Sequence, residues 1–211
     1  MVEKFIVEPN THLEVSVNGY YHQHFIGFNR PGNPDFINIL KNDNNAYSLP
    51  ELIEAQNKVV ELVVEDLPLI QAQENLTNPL VITVPRAKTL ESYNPEQLMF
   101  KEAIKIALTK LSGYEDGTDC IVRIKDSQTT HILPGYSMHV VFPGLTLNTC
   151  QIDAERIKGR EIILIDDIYT KNINMHEDCI QALLSLGAKR VVLYAIGFSK
   201  DDKYDLYKSR Y

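Results

Sequence analysis

The run Arg160-Glu161-Ile162-Ile163-Leu164-Ile165-Asp166-Asp167-Ile168-Tyr169-Thr170-Lys171-Asn172-Ile173-Asn174 constrains the fold of this chain more than any other stretch. Four consecutive apolar residues suit a strand buried on both faces of a parallel sheet, and a helix signal follows within a few residues. Between them lie two carboxylates and a hydroxyl-bearing loop, at the carboxyl end of the strand, where open α/β sheets bind ligands.

Other segments fit the same architecture. Ser48-Leu49-Pro50-Glu51 has the form of a capping box, and Leu52, Ala55, Val59, Leu62, Val63 and Leu67 continue at helical spacing, which predicts a helix over Pro50 to Asp66. Leu80 to Val84 reads as a central strand stopped by Pro85, Asn94-Pro95-Glu96-Gln97 caps a second helix that Gly113 closes, and Cys120 to Ile124 reads as a third strand. Asn174 caps a further helix running to Gly187, and Val191 to Ile196 is the last strand. The long polar segment from Lys125 to Arg160 is either a lid or a set of short extra strands.

Near the amino terminus, Leu13, Val15 and Val17 alternate with polar residues up to Asn18-Gly19, a two-residue turn signal, so His12 to Phe25 is expected to form a β-hairpin. Phe28 to Tyr47 is rich in Pro, Gly, Asn and Asp and predicts loop with one short helix around Phe36 to Leu40. The expected class is therefore α/β: a central parallel sheet flanked by helices, with an amino-terminal β-hairpin appendage. The expected division is residues 1–47 for the appendage and 48–211 for the α/β domain.

The chain has 211 residues, enough for one well-packed domain. Its net charge of −7 argues against affinity for nucleic acid, which rests on clustered Lys and Arg, and favours a small-molecule substrate. No apolar run approaches the roughly 20 residues that span a bilayer. Met1-Val2-Glu3-Lys4 lacks the pattern of a secretory leader, so no membrane association and a cytoplasmic location are expected. Cys120, Cys150 and Cys179 have no metal-type spacing and read as packed thiols. His22 and His24 share a strand face with no third ligand in view, so half-buried sheet histidines are favoured there over a metal site. Tyr204, Tyr207 and Tyr211 have helical spacing and read as a docking tail.

Asp166 and Asp167 can accept hydrogen bonds from vicinal hydroxyls, while Thr170 to Asn174 offers backbone N–H groups and a helix start to an anion. A ribose 5-phosphate meets both demands. At these residues the chain resembles the type I phosphoribosyltransferase family, whose fingerprint is an apolar strand, two acids, an apolar residue, any residue and Thr-Thr-Gly-x-Thr. Asp166, Asp167 and Thr170 match in identity; Lys171, Asn172 and Asn174 depart from it. Val81-Ile82-Thr83-Val84-Pro85-Arg86-Ala87-Lys88 also looks like the family's pyrophosphate-binding strand and loop, most nearly in competence-type phosphoribosyltransferase-like proteins. The resemblance covers about Leu80 to Ser199, roughly half of the chain.

The resemblance implies an enzyme that binds phosphoribosyl pyrophosphate with Mg2+ and transfers the phosphoribosyl group to a nitrogen acceptor, releasing pyrophosphate. It assigns Asp166 and Asp167 to the ribose hydroxyls, and Thr170 with the amides of Lys171, Asn172, Ile173 and Asn174 to the 5-phosphate. Arg86 and Lys88 would meet the pyrophosphate. Mg2+ is expected to be held through the ligand and water near the two acids. Lys125 to His131 falls where the family keeps a loop that closes over the reacting centre, which makes Arg123, Lys125, Thr130 and His131 further candidates for pyrophosphate contact or proton transfer. The family often pairs subunits, so a homodimer is one arrangement the resemblance allows, with the amino-terminal hairpin as its surface. The competing expectation is a non-catalytic sensor that binds a ribose phosphate, favoured by the altered Lys171-Asn172 loop. A third is an interaction module whose acidic pair is only surface.

Overall fold

The computed structural model describes residues 2–127, 143–171 and 173–200. Thr130, His131, Asn172 and the three carboxyl-terminal tyrosines lie outside them.

The chain begins with β1 (Glu3–Val7) and β2 (Val17–Phe25), followed by α1 (Phe36–Lys41) and the long α2 (Leu49–Glu74). Then come β3 (Leu80–Thr83), a 3-10 turn at Pro95–Leu98, α3 (Met99–Thr109), β4 (Glu115–Asp116) and β5 (Ile121–Arg123). α4 (Leu145–Thr149), β6 (Cys150–Ile152) and α5 (Ala154–Ile157) fill the described part of the polar segment. β7 (Glu161–Tyr169), α6 (Met175–Ser185) and β8 (Arg190–Ser199) complete the order.

Six strands form one mixed sheet in the order β1-β2-β8-β7-β3-β4. All neighbours run parallel except β1 and β2, which are antiparallel. Alternate residues of β7 enter different cores, as strand geometry requires. Ile163 and Ile165 pack with α1, α2 and α3, whereas Ile162 and Leu164 pack with α5 and α6. The α/β expectation holds, and the helices lie on both faces of the sheet.

The expected hairpin is not formed as predicted. Asn18-Gly19 lies inside the nine-residue β2, which pairs with β1 on one side and β8 on the other. Gly19 is needed for a close approach rather than a turn, because a Cβ there would overlap the Phe5 ring opposite. Residues 2–47 thus supply two strands to the main sheet and a helix to its core, and are not an appendage. The expected third strand exists as β5, but it pairs with β6 in a separate two-stranded sheet, and the short β4 takes the edge beside β3. The first long helix continues past its expected end at Asp66 through Pro68 to Glu74, where Asn75 in the left-handed region closes it. No helix among the described residues is long and apolar enough to cross a membrane.

Candidate functional site

A cleft of about 740 Å³ opens at the carboxyl ends of β2, β3, β7 and β8. α1 and the turn before α3 form its far wall. β7 runs on through Tyr169, so Asp166 and Asp167 belong to the strand end rather than to the loop. Consecutive strand residues point to opposite faces, and the two acids do so. Asp166 turns toward α6, where its Oδ2 lies 2.7 Å from His176 Nε2, and its Oδ1 accepts a hydrogen bond from the Asp167 amide at 2.8 Å. Asp167 turns toward α1, where its Oδ2 lies 3.0 Å from Lys41 Nζ. Asp166, Asp167, Lys41 and His176 all line the cleft.

These pairs set the electrostatics. Burial alone would push the Lys41 ammonium down, but the charges of Asp167 and Asp166 prevail and hold its pKa above the usual lysine value. Burial pushes the Asp167 carboxyl up, a change that Asp166 reinforces and Lys41 opposes. Burial also disfavours the His176 imidazolium, yet the hydrogen bond that its ring donates to Asp166 and the charges of Asp166, Glu177 and Asp167 raise its pKa. At the strand end, the two carboxylates are therefore flanked by a lysine on one covering layer and a histidine on the other.

Neither Lys41 nor His176 is among the residues the sequence nominates for the site. Lys41 carries no local mark: it ends a short helix in a stretch rich in Asn and Asp, and its partner is distant in the chain. His176, two residues after the expected helix cap, stood on the first turn of a helix that starts beside the acids, a position that pointed to it.

The upstream loop also departs from its expected role. Arg86 lines the cleft, but its guanidinium donates to the Lys41 carbonyl at 3.1 Å and the Gln97 carbonyl at 2.6 Å. It also pairs with Asp43 and lies 4.4 Å from the Tyr93 ring centre. Arg86 thus ties β3's loop to α1 and to the turn before α3. Lys88 lines the same cleft and is exposed, with its backbone amide bonded to the Tyr93 hydroxyl. Arg123 is buried; its Nε donates to the Arg86 carbonyl at 3.0 Å and its guanidinium bonds Thr149, so it braces the loop from beneath instead of facing a ligand. Lys125 is exposed and does not line the cleft.

No family model matches the chain, and no curated protein does.

Thr170 and Ile173 line the cleft, whereas Lys171 is exposed outside it. Asn174 does not cap α6 with its side chain. It adopts a left-handed backbone at φ 65°, and its Oδ1 accepts from Asn10 Nδ2 at 3.1 Å. The two acids of α6's first turn are directed away from the loop. Glu177 accepts from the Tyr169 hydroxyl at 3.0 Å, and Asp178 accepts from the amides of Gly144, Leu145 and Thr146 at 2.6, 3.1 and 2.7 Å, capping α4. The repulsion they would exert on an anion in the loop is thereby reduced.

The histidines of β2 have structural partners. His22 Nδ1 lies 2.8 Å from Asp66, which also accepts from Tyr194 at 2.7 Å, and His24 Nε2 lies 3.2 Å from the Tyr21 hydroxyl. Among the described residues, no group of three or more His, Cys, Asp and Glu side chains is arranged to hold a metal ion. The cysteines are buried thiols, and burial raises the pKa of each.

Proposed function

We propose that the cleft binds phosphoribosyl pyrophosphate with Mg2+, and that the chain transfers the phosphoribosyl group to a nitrogen acceptor with release of pyrophosphate. The observation that carries this reading is the convergence of Asp166, Asp167, Thr170, Arg86 and Lys88 on one cleft at the strand ends. Residues from two separate motifs face the same space, which a merely solvated acidic turn does not require.

In this reading the two carboxylates accept hydrogen bonds from the ribose hydroxyls, and the Thr170 hydroxyl binds the 5-phosphate. Hydrogen bonds to charged groups contribute roughly 1.5–3 kcal/mol each, against roughly 0.3–1 for a helix terminus, so direct contacts dominate the affinity. The bond from the anomeric carbon to the diphosphate oxygen breaks with its electron pair on the leaving group, and the nitrogen lone pair forms the new bond. Positive charge that builds on the sugar ring is stabilised by the fixed negative charge of Asp166 and Asp167. Asp167 is engaged by Lys41 and Asp166 by His176, and among the described residues no group is arranged to cage a metal ion, so Mg2+ would be held by diphosphate oxygens and water. Mg2+ supplies charge neutralisation to the leaving diphosphate.

A second reading, a non-catalytic sensor of the same ligand, is favoured by Arg86, whose guanidinium is engaged by two carbonyls, Asp43 and Tyr93. Turnover distinguishes the two. An enzyme releases pyrophosphate when supplied with phosphoribosyl pyrophosphate, Mg2+ and an acceptor from a panel of bases and ammonia; a sensor binds the ligand and releases none.

A further inference from the structure

The geometry points to Lys41 as the cation that receives the diphosphate end of the ligand, with Arg86 serving as the scaffold that aims it. The inference rests on the proposed sugar-phosphate site and deepens it.

Three observations support it. First, Lys41 is built into the cleft. Its carbonyl accepts from Arg86, and the next residue, Asn42, turns left-handed to close α1 while its carbonyl accepts from Gln97 at 3.2 Å. Second, its ammonium sits on the α1 side of the cleft, 3.0 Å from Asp167, with about a fifth of the side chain exposed to the space a ligand would fill. An ammonium carries three donors, so it can hold Asp167 and an incoming oxyanion together. Third, Arg86 makes bonds in the fork geometry that suits fixed acceptors, whereas a lysine serves as a flexible point charge able to follow a phosphate. In the free protein Lys41 neutralises Asp167. With ligand bound it bridges Asp167 and the diphosphate, placing the leaving group over the acid that faces the sugar.

Calorimetric titration of the full chain with pyrophosphate and Mg2+, and separately with ribose 5-phosphate, tests this in wild type, Lys41→Met and Lys41→Arg. Lys41→Met should weaken pyrophosphate binding roughly ten- to hundred-fold, the loss of one charged hydrogen-bond donor. It should change ribose 5-phosphate binding by no more than about threefold, and Lys41→Arg should recover most of the pyrophosphate affinity because it keeps the charge. Undiminished pyrophosphate binding in Lys41→Met, or no pyrophosphate binding in wild type, overturns the assignment. If wild type binds pyrophosphate through Lys41 but not ribose 5-phosphate, the sugar-phosphate reading fails and the Lys41 assignment stands. A readout independent of variant folding is amine acetylation of wild type followed by mass spectrometry: pyrophosphate should protect Lys41, and equal labelling with and without it contradicts the assignment.

Discussion

Arg86 illustrates how one side chain can tie several elements together around a cleft. Its guanidinium spans two carbonyls from different elements, a carboxylate and an aromatic face. A lysine cannot reproduce that fork, so Arg86→Lys should lower stability by about 1–3 kcal/mol, read from urea denaturation midpoints. An unchanged midpoint would show the contacts to be incidental. Asp178 is similar: one buried carboxylate receives three backbone amides at the start of α4. Asp178→Ala leaves those amides unpaired and should destabilise the fold by about 3 kcal/mol, checked by the same method. Neither role is legible in the local sequence. Their partners are set by packing between distant segments.

At the scale of elements, strands whose apolar runs are buried on both faces were readable, and strands placed by long-range pairing were not. Leu80–Thr83 and the Ile162–Ile165 part of β7 announce themselves through unbroken β-branched and aliphatic residues. Val17–Phe25 contains Asn-Gly, locally a strong turn signal, yet pairing with strands on both sides keeps it extended. Ile121–Arg123 was recognisable as a strand, but nothing local assigns it to the smaller sheet. Gly197 in β8 leaves room beneath α1, where an added Cβ would meet Ile37 at 3.2 Å and Phe25 at 3.3 Å. Gly197→Val should push α1 outward, separate Lys41 from Asp167 and weaken ligand binding, with a destabilisation of about 1–3 kcal/mol from overpacking. Titration and denaturation of that variant check both effects, and binding equal to wild type would mean that α1 does not set the site.

Across the whole molecule, polar networks fix the two ends of the sheet differently. The carboxyl ends carry the cleft. Near the opposite ends, buried Glu74 from α2 gathers Lys4 at 2.9 Å, Asn18 at 2.9 Å, Arg190 at 2.7 Å and the Tyr20 hydroxyl, tying β1, β2 and β8 to the helix. Burial would raise the Glu74 carboxyl, but Tyr20, Lys4 and Asn18 prevail and hold its pKa below the usual 4.5. A depressed carboxylate contributes stability that is present above 4.5 and lost as pH falls through its folded value. Glu74→Gln should therefore cost about 3 kcal/mol at neutral pH and flatten the acid limb of the stability profile, measured by denaturation from pH 7 downward. An acid limb as steep as wild type would place that dependence elsewhere.

We propose that the paired acids at the end of β7 bind a ribose phosphate. Calorimetric titration with phosphoribosyl pyrophosphate and Mg2+, wild type against Asp167→Asn, tests it most directly. Saturable binding by wild type, weakened at least about tenfold in a folded Asp167→Asn variant, is the predicted result. Absence of binding by wild type, or equal binding by both proteins, would contradict it.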